Sequence, residues 1–361
     1  MKKLHFLLLL LMMSIPAAFG QAGDLNSYKY CEKIADSLLS KGQKDSAIFY
    51  YKKALSVFPN SWKSYSAVRN PGREVPGDTL AVLLQKLILS DVDYLPNIVF
   101  GKGGTRDLRL SILWPKEPSR KKLPVMVYIH GGGWYQNTKE TGLISLLPFV
   151  KQGYICVPVE YRLSTKAVFP AQVRDVKCAI RFLRAHAELY GIDPERIAVF
   201  GESAGGHLAS LAGTSGGIKE LEGNGGWPDY SSRVQAVCDW SGPSYFPPDT
   251  LTGNANFRLL GGITTQKAHL AKIASPLNYI SADNPPFLIF HGTADAVAKI
   301  EQSDTLYQSL RKANVEATLK RFEGGGHFVV YGAQVGEISG SMPQFRAEML
   351  QLMIDFFLIN T

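Results

Sequence analysis

Beyond Asp91 the chain alternates short β-rich runs with longer stretches whose apolar residues recur every three or four positions. The β-rich runs are LRLSILW, LPVMVYIH, YICVPVEY, RIAVFG, VQAVCDW, PFLIFHG and ATLKRFE. Near-continuous apolar runs of this length, separated by segments of helical period, are the signature of βα units. They predict an α/β fold with a mostly parallel central sheet and helices on both faces. Val173, Val176, Ile180, Leu183, Ala187 and Tyr190 give one such segment a single apolar face, and Gly191 stands where a C-terminal cap belongs. A last helix is expected around Phe345, Met349, Leu352 and Phe356. One connection, about residues 244–285, is long for a compact α/β domain and carries GNANFRLLGG and QKAHLAKIASPLNYI. Insertions of this size are usually functional, so we expect a small cap beside the active site, with a plain surface excursion as the alternative.

The N-terminal quarter follows a different pattern. MKKLHFLLLLLMMSIPAAFGQAG has two lysines, an apolar stretch, Pro16, and small residues Ala18 and Gly20 before Gln21. Residues 1–20 read as a signal peptide cleaved near Gly20, which implies an exported protein, periplasmic or extracellular. A membrane-spanning anchor needs about 20 apolar residues, roughly twice what is present. Residues 24–66 read as a helical hairpin. Its Ala35, Leu38, Gly42, Ala47, Tyr51, Ala54 and Pro59 fall on the small and large positions of a tetratricopeptide repeat, which the segment resembles. There is one copy, and such repeats bury their faces only when stacked. Packing on the main domain is therefore favoured over capture of a partner protein. Residues 67–90, with RNPGREVPGD and TLAVLLQKLIL, read as a linker and a helix, leaving 91–361 for the main domain.

With 361 residues, 45% hydrophobic and 19% charged, the chain has the composition of a folded globular protein. The net charge of +8 includes Lys2 and Lys3 of the leader. The basic residues are scattered, and neither an arginine-rich helix nor a zinc spacing points to nucleic acid. Cys31, Cys156, Cys178 and Cys238 would suffice for two disulfides, but three of them lie in apolar strands or a helix, where cysteine serves as a small core residue.

The chemistry centres on VFGESAGGHLA, in which Ser203 sits between glycines after a strand and before a helix. G-x-S-x-G is the nucleophile elbow, a tight turn that lifts the serine hydroxyl clear of the sheet; Gly201 and Gly205 are needed because nothing larger fits beside it. A serine nucleophile requires a base and aimed N–H donors. YIHGGGW ends an earlier strand, and the amides of Gly132 and Gly133, with that of Ala204, are the candidate oxyanion hole. Of the seven histidines, His327 in FEGGGHFVV lies in a loop after the last expected strand and is the candidate base. His207 lies one helical turn past Ser203 and reads as a local hydrogen-bonding or packing residue; His291 reads as shaping its turn. Asp295 in HGTADAV falls between serine and histidine, as the chain order requires, and is favoured over Asp239 in VCDW. Trp134 and Glu202 are weaker candidates for substrate contact. Packing is an equal reading for Trp134, and a structural brace for the elbow, like that expected of Arg162 with Asp175, is the better one for Glu202.

From about Arg106 to the C-terminus, the chain resembles the α/β-hydrolase fold of the hormone-sensitive-lipase-like esterases, and in particular the secreted bacterial acetyl xylan and feruloyl esterases. HGGGW, EYRLS, FPAQVRDVKCAIRFLR, YGIDPERIAVFGESAGGHLA, DWSGP, SPLNYISADNPPFLIFHGTAD and GGGHF carry the resemblance. It implies a Ser203, Asp295, His327 triad and the oxyanion donors named above, with no metal or cofactor. The family often has Val-Pro after the acid, where this chain has Val297-Ala298. The substrate implied is an acetyl or feruloyl ester of plant xylan, with general short-chain esters second and peptides third. A non-catalytic binding protein would have lost a triad residue or a loop glycine, and all are present.

Overall fold

The computed structural model describes residues 25–43, 46, 47, 50, 92–115, 121–327 and 347–361. The leader, the 67–90 segment and most of the expected second helix of the hairpin lie outside the described residues. The chain divides into two compact units, Met1–Gly77 and Asp78–Thr361. In the first, α1 (Leu25–Ser40) is followed by a turn at Gly42, whose φ of +73° suits a residue without Cβ. Ala35 and Ala47 are fully buried there, with Leu38 and Tyr50 packed against them.

The second unit is built on one eight-stranded sheet of order β1-β2-β4-β3-β5-β6-β7-β8. The strands are β1 (Val92–Gly103), β2 (Arg106–Pro115), β3 (Leu123–Ile129), β4 (Ile155–Val159), β5 (Ile192–Glu202), β6 (Ala236–Trp240), β7 (Phe287–Gly292) and β8 (Ala317–Phe322). β2 runs antiparallel to both β1 and β4, and from β4 to β8 every pairing is parallel. This is the α/β-hydrolase fold. Seven strands coincide with the β-rich runs. The eighth, β1, has no such run in the sequence because Pro96 interrupts it. β1 is an edge strand with two register shifts against β2, one spanning Pro96 and Asn97, and such irregularities are where an edge strand tolerates proline.

The helices cover both faces because residues two apart along a strand point the same way. Met126 and Tyr128 of β3 join Phe200, Cys238 and Trp240 in a core with α2 (Leu143–Lys151) and the C-terminal helix (Ala347–Asn360). Within it, Tyr128 and Trp240 each lie against the Phe200 ring, with centroids 5.3 and 5.5 Å away. α3 (Ala171–Ala185) and α4 (Ala204–Thr214) pack against β1, β5 and β6. Cys156, Cys178 and Cys238 are buried and unpaired, in keeping with their reading as core residues, and Cys31 is buried as well. The β6–β7 connection holds α5 (Ala255–Leu260) and α6 (Ala268–Ala274); α7 (Glu301–Lys312) follows β7.

Candidate active site

Because β5, β6, β7 and β8 are parallel and adjacent, the segments that follow them leave the sheet at one edge, the carboxyl edge where α/β proteins place their ligands. Ser203 leaves β5 there, Asp295 follows β7 and His327 follows β8.

Ser203 occupies the turn between β5 and α4 with φ 53° and ψ −118°, a conformation L-residues rarely adopt. Its amide donates to the Trp240 carbonyl at 2.7 Å, and its carbonyl accepts from the His207 amide at 3.0 Å. A Cβ on Gly205 would lie 2.0 Å from the Ile129 carbonyl oxygen, and one on Gly201 2.5 Å from that same atom. These backbone contacts are the physical content of the glycines in G-x-S-x-G. Ala204 is the first residue of α4, where amides lack an intrahelical acceptor.

The acid and base loops are stitched together by backbone. The Ala294 amide donates to Gly325 O at 2.9 Å, and the Thr293 amide to Phe322 O at 3.0 Å. The Gly324 amide in turn donates to the Thr293 hydroxyl at 2.9 Å. Across this junction His327 Nδ1 lies 2.6 Å from Asp295 Oδ2. A carboxylate accepts only, so Nδ1 carries the proton and Nε2 is the basic nitrogen. Asp295 Oδ1 accepts from the amides of Val297 and Ala298 at 2.8 and 2.9 Å. Burial would raise the Asp295 carboxyl, but hydrogen bonds from His291 and His327, with the charge of His327 and the Ala298 amide, hold it well below the usual carboxylate range.

The structure separates the two acids considered for the triad. Asp239 is fully buried on β6 and takes its bonds from the Ser210 hydroxyl and the Gly242 amide. It braces the elbow helix, while Asp295 holds the histidine. His291, read from the sequence as a turn-shaping residue, is buried with Nε2 3.1 Å from Asp295 Oδ2.

The glycine loop leaves β3 beside the elbow, since Ile129 pairs with Gly201. Gly132 and Gly133 have φ of +105° and +58°. The Gly132 carbonyl is taken by the amides of Tyr135 and Gln136, which closes the loop into a tight turn. Struts hold it from below: Tyr161 donates its hydroxyl to His130 O at 3.0 Å, and the Ser164 amide donates to Trp134 O at 2.7 Å. Burial lowers His130 to about 4, so its ring, stacked on Tyr161, is neutral at neutral pH. Arg162, between these struts, is fixed by a two-pronged pair with Asp175 at 2.8 and 2.7 Å.

Trp134 is 2% exposed. Its indole N–H donates to His207 Nδ1 at 3.1 Å, and His207 Nε2 lies 2.7 Å from Ala274 O in the β6–β7 insertion. The imidazole is neutral, lowered to about 4 by burial. Trp134 thus braces the loop, the packing role that the sequence offered beside substrate contact. Its neighbour Phe246 is one wall of a cavity of about 320 Å³ within the insertion, also lined by Pro248, Thr264 and Ala271. Glu202 is half-buried and turns under the glycine loop, where it accepts from the Tyr128 hydroxyl at 3.2 Å and from the Gly131 amide. Burial outweighs those bonds and raises its carboxyl to about 7. Among the described residues no cluster of three His, Cys, Asp or Glu could hold a metal ion, and no helix is long and apolar enough to cross a membrane.

Comparison with known proteins places this geometry. The BD-FAE family model matches residues 110–310. A truncated carbohydrate esterase from gut microbiota superposes with a TM-score of 0.65 at 30% identity, covering 74% of this chain and 96% of that one. A bifunctional GH43-CE protein from Bacteroides eggerthii gives a TM-score of 0.65 at 32% identity, over 74% of this chain and 38% of the other. Esterase LipQ of Mycobacterium tuberculosis is 31% identical over 228 residues, 60% of this chain and 52% of its own. The chain thus spans about half the length of the curated relatives it matches.

Proposed function

Since the chain belongs to the BD-FAE family of α/β-hydrolase esterases, we propose that it hydrolyses carboxylic esters through a covalent acyl-enzyme. The observation that carries this is the Asp295–His327 hydrogen bond, formed at the sheet edge from which the strained Ser203 also emerges. Ser203 Oγ attacks the ester carbonyl as His327 Nε2 takes its proton. The oxyanion that forms is met by the amides of Gly132, Gly133 and Ala204. His327 then returns the proton to the departing alcohol. A water molecule, deprotonated by the same nitrogen, attacks the acyl-serine; the acyl–Oγ bond breaks, His327 returns the proton to Ser203 Oγ, and the acid is freed. Asp295 keeps Nδ1 protonated and stabilises the imidazolium in both halves.

For the substrate we propose acetyl or feruloyl esters on plant xylan, acted on by an exported enzyme. The support is the likeness to a gut-microbiota carbohydrate esterase and to a protein that carries a CE module beside GH43, with the leader-like N-terminus. General short-chain esters are the second reading, favoured by likeness to the Thermogutta terrifontis esterase solved with propionate. The deciding experiment measures acetate and ferulate release from acetylated arabinoxylan, with Ser203→Ala as blank and an aryl acetate as control. Ser203-dependent release supports polysaccharide de-esterification. Aryl acetate cleavage without release moves the assignment to small esters, and turnover equal in wild type and Ser203→Ala removes the acyl-enzyme altogether.

A further inference from the structure

One buried imidazole near the triad has no part in the mechanism above. His291 is the fifth residue of β7, four before Asp295, and is wholly buried. Its Nε2 faces two acceptors, Ala298 O at 2.7 Å and Asp295 Oδ2 at 3.1 Å. Neither can donate, so the proton sits on Nε2. Nδ1 is then an acceptor, and the Ser303 hydroxyl of α7, 2.6 Å away and also buried, is placed to donate to it. We infer that His291 is a positioning residue for the triad, donating from Nε2 to the same carboxylate oxygen that holds His327 and so fixing both the rotamer of Asp295 and its share of negative charge.

The geometry favours this over simple packing. A carboxylate rotates about its last bond unless both oxygens are pinned. Oδ1 of Asp295 is pinned by two backbone amides of its own loop. Oδ2 instead meets two imidazoles, His327 Nδ1 at 2.6 Å and His291 Nε2 at 3.1 Å. His327 must turn over between neutral and cationic forms as the proton passes, so it is the less constant of the two. His291 is the constant donor, itself oriented by Ser303 of α7. Charged neighbours of His291 on the adjacent strands are Asp239 of β6 and Arg321 of β8, which is in register with His291 and paired with Asp304 of α7. Asp295 is faced by His291 and His327.

The inference rests on the ester-hydrolase reading, and its test separates the two. His291→Gln places an amide donor near the position of Nε2, while His291→Asn reaches only as far as Nδ1 and keeps a partner for Ser303. With an aryl acetate, His291→Asn is expected to lower kcat about tenfold or more with KM nearly unchanged, and His291→Gln to recover most of the loss. The acidic limb of the kcat/KM profile should move to higher pH in His291→Asn, because a carboxylate relieved of one donor holds the imidazolium more tightly. Ser303→Ala, a small change on α7, should reproduce the shift in weaker form and serves if the His291 variants do not fold. Wild-type kinetics and an unmoved limb in His291→Asn, or in Ser303→Ala where the others fail, overturn the inference. Equal impairment in folded His291→Gln and His291→Asn also overturns it. Ser203→Ala with full turnover would instead remove the parent reading.

Discussion

Glu202 offers a direct test of the link between the glycine loop and stability. Its carboxyl lies at about 7 in the fold against an ordinary 4.5. The fold favours the protonated form. The stability tied to that form is complete below about 4.5 and is lost as pH rises through about 7. A separation of this size is worth about 3 kcal/mol, and partial access of water to the half-buried side chain trims it to about 2 kcal/mol. Glu202→Gln keeps the shape and an acceptor for Tyr128 and the Gly131 amide, but it cannot ionise. The difference in unfolding free energy between wild type and variant should therefore change by about 2 kcal/mol between pH 5 and pH 8, in the variant's favour at the higher pH. Denaturant titrations followed by tryptophan fluorescence measure it, since Trp240 and Trp134 are both buried in this unit. A difference that moves by less than about 0.5 kcal/mol would refute the reasoning and place the ionised carboxylate in a better-solvated site than its contacts imply.

Other outcomes follow from the same geometry. Asp295→Asn should lower kcat by about a thousandfold or more, while Asp239→Asn, which alters a brace and not the acid, should stay within about tenfold in folded protein; steady-state kinetics on an aryl acetate decide between them. Trp134→Phe keeps the ring but leaves His207 Nδ1 without its donor, and should cost about 1–3 kcal/mol of stability by denaturant titration. Gly205→Ala drives a Cβ to 2.0 Å from a backbone oxygen with no flexible atom to give way. We expect about 3 kcal/mol or more of destabilisation and loss of turnover, checked by thermal melts beside activity.

The parts of the fold that could be read from the chain were those buried on both faces. β3, β4 and the second half of β5 are near-continuous apolar runs because helices cover the sheet on both faces, and their shortness between turn-forming residues marks them as strands. β1 was hidden because an edge strand with a proline and two irregularities carries no clean alternation. In the site, Ser203, the glycine loop, Asp295 and His327 could be nominated because their turns demand small residues at fixed places. The choice between Asp239 and Asp295 rested on the character of a loop, and the structure supplies what the sequence lacked: which carboxylate meets an imidazole. The contacts of His291, Glu202 and Trp134 were not readable. Each depends on which side of a strand or loop a side chain leaves and on a partner distant in sequence, as with Trp134 and His207, 73 positions apart.

The bridge from Trp134 through His207 to the Ala274 carbonyl joins three segments that would otherwise be free to diverge separately. The β6–β7 insertion is moored to the His207 ring, which also steadies the glycine loop, by the Ala274 carbonyl and by Phe246, whose ring lies 5.3 Å from that of His207. An exchange of insertions between homologues should therefore succeed when the donor brings its own carbonyl to this spot, or its own residue at 207, and otherwise should loosen catalysis along with selectivity. For protein engineers the unit of transplantation is the insertion together with its mooring.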